Sequence, residues 1–114
     1  MSIEQEILDK GLTAPRVTPQ QIEDTIASIW YINGATGVVS DDYQPGVPAN
    51  SPLNQLTICV LVLKNGFTVT GESACASPEN FDLQIGKRIA LENAKQKIWP
   101  LEGYVLRNQL KGIK

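Results

Sequence analysis

The first apolar pattern in the chain has helical spacing. Between residues 17 and 32, VTPQQIEDTIASIWYI, the large apolar side chains recur every three or four positions: Ile22, Ile26, Ile29 and Trp30. Thr18 is a typical N-cap residue, and Pro19 is favoured at the first position of a helix. The pattern predicts a helix over residues 17–32 that ends at Asn33.

The second pattern is that of a β-hairpin. Residues 56–63, LTICVLVL, resemble a strand, residues 67–73 alternate in polarity, and Asn65-Gly66 between them favours a two-residue type I′ turn. That turn would set four cross-strand pairs: Lys64 with Phe67, Val62 with Val69, Val60 with Gly71 and Cys59 with Glu72. Because residues 56–63 are apolar on both faces, we expect helices of this chain to cover one face and a second subunit the other.

A further helix is predicted at residues 77–99, capped by Ser77, with Pro78 at its first position. Its apolar stripe would consist of four residues: Phe81, Ile85, Ile89 and Ile98. Gly86 beside the stripe predicts close approach of another backbone, because a mid-helix glycine costs about 1 kcal/mol against alanine. Pro100 stops this helix, and residues 101–112 form a shorter one that ends at Gly112.

The rest of the chain is less regular. Residues 1–17 form an N-terminal segment with one short helical stretch, and residues 34–55, rich in glycine and proline, form a long surface loop. We expect a single α+β domain over residues 1–114, with an antiparallel β-hairpin sheet core flanked by helices. The doubly apolar strand also predicts a homo-oligomer, a dimer or higher.

Histidine is absent, and this absence narrows the chemistry. Without it, the chain lacks the usual general base near neutral pH and every Ser–His or Cys–His nucleophile pair. A zinc site usually draws four ligands from cysteine, histidine and carboxylates, and the chain has only two cysteines. We therefore expect no enzyme activity, no metal and no cofactor. The N-terminus lacks the pattern of a secretory signal, and no apolar run is long enough for a membrane helix.

The segment TVTGESACASPENFD, residues 68–82, concentrates residue types found in active sites. Ser77 is more simply interpreted as a helix cap, and Cys75 as a buried thiol with no histidine to activate it. Glu72 and Glu79 form a possible carboxylate pair, but their spacing also suits an exposed strand residue and an acid at a helix N-terminus.

Charge is distributed unevenly along the chain. Residues 1–86 carry three cations and ten acids, whereas residues 87–114 carry seven cations and two acids. A basic C-terminal part attracts an anionic ligand, although a solvated helix face explains the same charges. A sequence pI of about 5.0 and few aromatic residues disfavour a nucleic-acid binder.

Three motifs carry a resemblance to a known group of proteins: K-N-G-F, S-A-C-x-S-P-E-N-F-D and I-W-P-L-E-G-Y. On these motifs, over residues 56–110, the chain resembles a family of small tailed-bacteriophage proteins. The segment TPQQIEDTI is similar to the opening helix of that family. The resemblance implies a phage protein that acts in the host cytoplasm.

The order of hairpin, helix, proline break and short helix is also similar to that of phage anti-Thoeris proteins, which sequester a cyclic ADP-ribose signal. That resemblance implies an oligomer that binds a nucleotide through an aromatic side chain, asparagine and arginine. Seven residues are candidates for such a site: Arg107, Arg88, Phe81, Asn93, Asn80, Lys87 and Lys97. Arg107 is the preferred cation because it follows the apolar run YVL. The alternative function is a phage accessory protein that binds and inhibits a host protein.

Overall fold

The computed structural model describes residues 2–38 and 47–113, which form a three-stranded antiparallel sheet with helices against one face. The helices are α1 (Ile3–Asp9), α2 (Pro19–Thr25), α3 (Leu83–Gln96) and α4 (Ile98–Lys111). The strands are β1 (Ile26–Asn33), β2 (Leu56–Leu63) and β3 (Thr68–Ala74), in the order β1-β2-β3. This confirms the predicted α+β class and adds a third strand to the predicted hairpin.

The predicted helix over residues 17–32 is wrong in its second half. Thr18 caps α2 as expected, since its hydroxyl accepts the N–H of Gln21 at 3.1 Å, but α2 ends at Thr25. The next eight residues form β1, which pairs antiparallel with β2 after an irregularity between Ile26 and Ser28. Ile, Trp and Tyr favour strands, and pairing with β2 prevails over a helical spacing that the segment also satisfies.

The hairpin is present, but its turn and register differ from the prediction by one residue. The N–H of Gly66 donates to the carbonyl of Leu63 at 2.9 Å, and the N–H of Leu63 donates to that of Phe67 at 2.8 Å. The loop therefore has three residues and ends on Gly66, whose φ is +88°. Asn65 does not adopt the positive φ that a type I′ turn requires. The observed pairs include Val62 with Thr68, Leu61 with Val69, Val60 with Thr70, Cys59 with Gly71 and Ile58 with Glu72.

Helix α3 lies directly on β2 and β3 because small residues face each other at the contact. Gly86, Ala90 and Ala94, spaced by four, are its buried residues. A Cβ at Gly71 of β3 would lie 2.2 Å from the backbone nitrogen of Ala94. Beneath α3 the alternate residues of β2 are buried: Thr57, Cys59, Leu61 and Leu63.

The predicted start and apolar stripe of this helix need correction. Asp82, not Ser77, caps α3: its carboxylate accepts the N–H groups of Gln84 and Ile85, at 2.9 and 3.1 Å. Residues 78–80 form a separate 3-10 turn. Ile85 and Ile89 are 49% and 46% exposed, because the sheet is contacted by the small residues beside them.

Close approach occurs at Gly86, but the neighbours are side chains of this chain and not the backbone that was predicted. A Cβ at Gly86 would lie 3.1 Å from the Thr57 hydroxyl oxygen. The predicted stop at Pro100 is wrong: α3 ends at Gln96 and α4 starts at Ile98, so Pro100 lies in the first turn of α4, where a helix tolerates proline. Helix α4 ends as predicted at Gly112, whose φ is +75°. The predicted loop at 34–55 ends in a 3-10 turn, Pro52–Gln55, and its residues 39–46 lie outside the described part of the chain.

The face of the sheet opposite α3 carries no helix among residues 2–38 and 47–113. It presents Leu56, Ile58, Val60 and Val62 of β2 with Trp30 and Ile32 of β1, and we call it the open sheet face. The described parts of the chain contain no helix long and apolar enough to cross a membrane.

Gly71→Ala tests the contact between α3 and β3. We expect it to lower the free energy of unfolding by about 3 kcal/mol, because the new methyl group meets helix backbone that cannot move aside locally. Gly103→Ala is the matched control in α4, where an added Cβ meets nothing within 4 Å. It should stabilise by about 0.5–1 kcal/mol. Urea unfolding measures both, and equal effects of the two substitutions would contradict the close contact.

The two free cysteines should differ in reactivity. Cys59 is fully buried, and burial raises the pKa of its thiol, whereas Cys75 is only half-buried. We expect one thiol per chain to react quickly with Ellman's reagent in the folded protein, and the second only on unfolding. Cys75→Ser should remove the fast phase, and a fast phase that survives this substitution would contradict the assignment.

Candidate ligand-binding site

Two adjoining pockets follow the outer side of α3. The larger, about 440 Å³, is lined by Ile85, Arg88, Ile89, Glu92 and Asn93. The smaller, about 160 Å³, is lined by Gln55, Ser73, Ala74, Cys75, Asn80, Phe81, Asp82, Ile85, Gly86 and Ile89. Because Ile85 and Ile89 line both pockets, the two form one continuous surface, which we call the α3 groove.

Four of the seven predicted ligand residues line the α3 groove. Arg88 and Asn93 line the larger pocket, about two and three helical turns beyond the cap of α3. Asn80 and Phe81 line the smaller pocket, because the 3-10 turn at residues 78–80 leads directly into the start of α3. The helical period therefore brings together residues that are up to thirteen positions apart in the sequence.

Asn93 also contacts the edge of the sheet. Its side-chain Nδ2 donates to the carbonyl of Glu72 at 2.8 Å, a group that points outward from β3. The bond fixes the amide and leaves its Oδ1 available as an acceptor. It also occupies a position where the backbone of an added strand would otherwise pair.

The groove has mixed charge. Arg88 is its cation, and Glu92 and Asp82 lie in the same lining. Next to the smaller pocket, hydrogen bonds from its own backbone N–H and from Ser77 hold the pKa of Glu79 below its ordinary value. Glu79 is therefore ionised at neutral pH, and it repels an anion from this end of the groove.

The other three predicted ligand residues lie outside the groove lining. Lys87 sits over the ring of Tyr31, 5.3 Å from its centroid, in a cation–π contact that connects α3 to β1. Lys97 is exposed at the junction of α3 and α4, and Arg107 is exposed on α4. Arg107, the cation preferred from the sequence, lines neither pocket of the groove.

Behind the groove lies a polar atom that the sequence pattern did not reveal. The hydroxyl of Thr57 is fully buried and has no hydrogen-bond partner among the described residues. It lies just beneath Gly86, and Ser73, its cross-strand partner, lines the smaller pocket. The sequence signal was a single threonine within an otherwise apolar strand, on the face that the helix covers.

The candidate catalytic residues have structural partners within their own segments. The thiol of Cys75 donates to the carbonyl of Ser77 at 3.2 Å, and the hydroxyl of Ser77 donates to Glu79 at 3.0 Å. The carboxylate of Glu72 accepts from Thr70 at 3.4 Å, a weak contact on the same strand. Within residues 2–38 and 47–113, no group of three or more Cys, Asp or Glu side chains is placed to hold a metal ion. The expectation that the protein is not an enzyme stays a prediction.

Comparison with known proteins identifies the chain as a phage protein. A family model described as Phage protein (N4 Gp49/phage Sf6 gene 66) family matches residues 17–110, which cover every strand, α2, α3 and most of α4. No curated protein and no solved structure matches the chain. The likeness to anti-Thoeris proteins stays a prediction. The match spans most of the sequence, so this chain belongs to the Phage protein (N4 Gp49/phage Sf6 gene 66) family.

Proposed function

We propose that this phage protein is a non-enzymatic accessory protein that counters host defence by sequestering a nucleotide signal in the α3 groove. The supporting observation is that Arg88, Asn93, Asn80 and Phe81, all expected at a nucleotide site, line one groove. Sequestration requires no general base, so a chain without histidine can perform it. The ligand class is a cyclic ADP-ribose type of molecule, bound in the host cytoplasm.

Each groove residue suits a different part of such a ligand. Phe81, with the exposed faces of Ile85 and Ile89, offers apolar surface on which a base can stack. The amide of Asn80 and the free Oδ1 of Asn93 can bond to a base edge or to ribose hydroxyls. The guanidinium of Arg88 can hold phosphate oxygens through paired hydrogen bonds.

The mixed charge of the groove limits how much a phosphate contributes. Arg88 acts beside Glu92, and Asp82 already occupies the N-terminus of α3 with its own carboxylate. We therefore assign most of the binding free energy to the base and ribose. Affinity should fall only modestly as salt is raised, because few opposite charges are brought together.

A thermal-shift screen tests the proposal with cyclic ADP-ribose isomers, cyclic di- and trinucleotides, NAD and ADP-ribose. A ligand at about 100 times its dissociation constant stabilises the fold by about 2.7 kcal/mol, which raises the melting temperature by several degrees. Arg88→Ala should weaken binding by about tenfold to a hundredfold, since it removes a charged hydrogen bond. Calorimetric titration of the variant measures that loss.

Arg107→Ala is the matched control, because it removes the same charge from an exposed site on α4. It should leave affinity unchanged. Loss of binding in Arg107→Ala with retention in Arg88→Ala would move the site to α4, as the sequence first suggested. Flat melting curves across the whole panel would contradict nucleotide sequestration.

A separate observation favours the alternative, binding of a host protein. A pocket of about 250 Å³ between the hairpin and α4 is lined by Thr25, Leu63, Asn65, Phe67, Leu101, Glu102, Tyr104 and Val105. Tyr104 is 71% exposed, and Phe67 is also exposed. The charged side chain of the lining, Glu102, accepts a hydrogen bond from Gln21 at 2.8 Å. Exposed aromatic and apolar side chains of this kind suit a protein partner.

Tyr104→Asp tests this alternative. If the pocket between the hairpin and α4 binds a host protein, immobilised protein should capture that protein from host lysate, and Tyr104→Asp should abolish the capture. Arg88→Ala, which alters the α3 groove instead, should have no effect on it. Capture that is unchanged by Tyr104→Asp would contradict binding at this surface.

A further inference from the structure

The open sheet face is apolar and free of charge over two of its three strands. Neither β1 nor β2, sixteen residues in all, contains a charged side chain. Trp30 is 60% exposed on this face, and Ile32 beside it is 38% exposed. The face has one acid, Glu72, which lies on β3, opposite Ile58 and away from the Trp30 side. A face of this kind is normally covered in a folded protein.

The thickness of the described protein indicates how many layers it has. Its dimensions are 56 × 36 × 18 Å. A thickness of 18 Å corresponds to one sheet with one layer of helices, since packed layers lie about 10 Å apart.

We propose that the occupant of the open sheet face is the same face of a second copy of this chain. Two such faces form a sandwich about 10 Å between sheets, with strands within about 30° of each other and β2 at the centre. The β1 and β2 part of the face carries no charge, so it matches itself without burying one, and a two-fold axis gives each copy the same contacts. The result is a four-layer dimer with helices on both outer sides.

Trp30 fits a dry contact of this kind. The indole N–H is its single hydrogen-bond donor, and it donates to the hydroxyl of Ser28 at 2.9 Å on the same strand. Burial of the indole therefore leaves no unpaired polar group, which removes the usual cost of covering a tryptophan with an apolar surface. A partner that recognised Trp30 through polar groups would find that donor occupied.

The size of the face predicts how firmly the copies associate. Strands of seven or eight residues at about 3.3 Å each, three abreast at about 4.8 Å, give a footprint of about 26 by 14 Å at most. This is smaller than a standard interface, which buries about 800 Å² of each partner. We therefore expect a dimer that dissociates on dilution into the micromolar range. Both α3 grooves remain open on its outer sides, so each chain keeps its own ligand site.

Sedimentation velocity over a dilution series tests the proposal on the full chain. The wild-type mass should rise from 12.5 kDa toward twice that value with concentration. Trp30→Asp should stay monomeric throughout, because pairing would then bury two carboxylates. Tyr104→Asp, at a more exposed site on α4, should dimerise like wild type. A wild-type monomer at all concentrations, or a Trp30→Asp protein that still dimerises, would overturn the inference.

Fluorescence gives a second measurement that does not depend on a disruptive charge. The chain has two tryptophans, so Trp99→Phe leaves Trp30 as the single emitter. As the protein concentration is raised, the emission of Trp30 should shift to shorter wavelength and its quenching by iodide should fall, because dimerisation removes the indole from water. Emission that does not change while the mass doubles would place the interface elsewhere and overturn the proposal. Neither experiment contains a nucleotide, so its outcome is independent of ligand binding.

Discussion

The structure depends on the contact of α3 with β3, where backbone meets backbone without intervening side chains. Gly71 leaves room for the backbone of Ala94, and Gly86 leaves room for Thr57. The small residues on α3 let the helix lie low across β2 and β3, so the buried core is assembled from β2 and a few flanking residues. Because small residues of α3 touch the sheet, the large apolar residues of the helix lie to the side of this contact. There Ile85 and Ile89 line both pockets of the α3 groove.

Sequence patterns predicted the elements whose signals are local. The hairpin, the proline-marked helix start at residue 19 and the glycine stop at Gly112 follow from turn and cap chemistry within a few residues. β1 was predicted as helix because its strand conformation depends on pairing with β2, more than twenty residues away along the chain. The hairpin register was predicted one residue off for a different reason. Asn65-Gly66 suits both a two-residue turn and a three-residue turn that ends on glycine.

The candidate site was predictable in its residue types but not in its position. Arg88, Asn93, Asn80 and Phe81 belong to a predicted set of seven residues, chosen because their chemistry suggests a polar ligand, and these four line one groove. Which members share a groove depends on the direction in which α3 faces the sheet, and the apolar stripe gave the wrong direction. Thr57 was missed because a buried hydroxyl has no sequence signal apart from its strand and its neighbours.

The separation between β1 and β2 also bears on how the chain reaches its fold. The β2–β3 hairpin closes over three residues and α3 follows it directly, so these parts can assemble early, whereas β1 must wait for closure of a loop of more than twenty residues. Until then, IASIWYIN is an uncharged, proline-free segment with high strand propensity, the composition typical of aggregation-prone stretches. Newly made chains at high concentration therefore face a competition between the native partner strand and β1 segments of their neighbours.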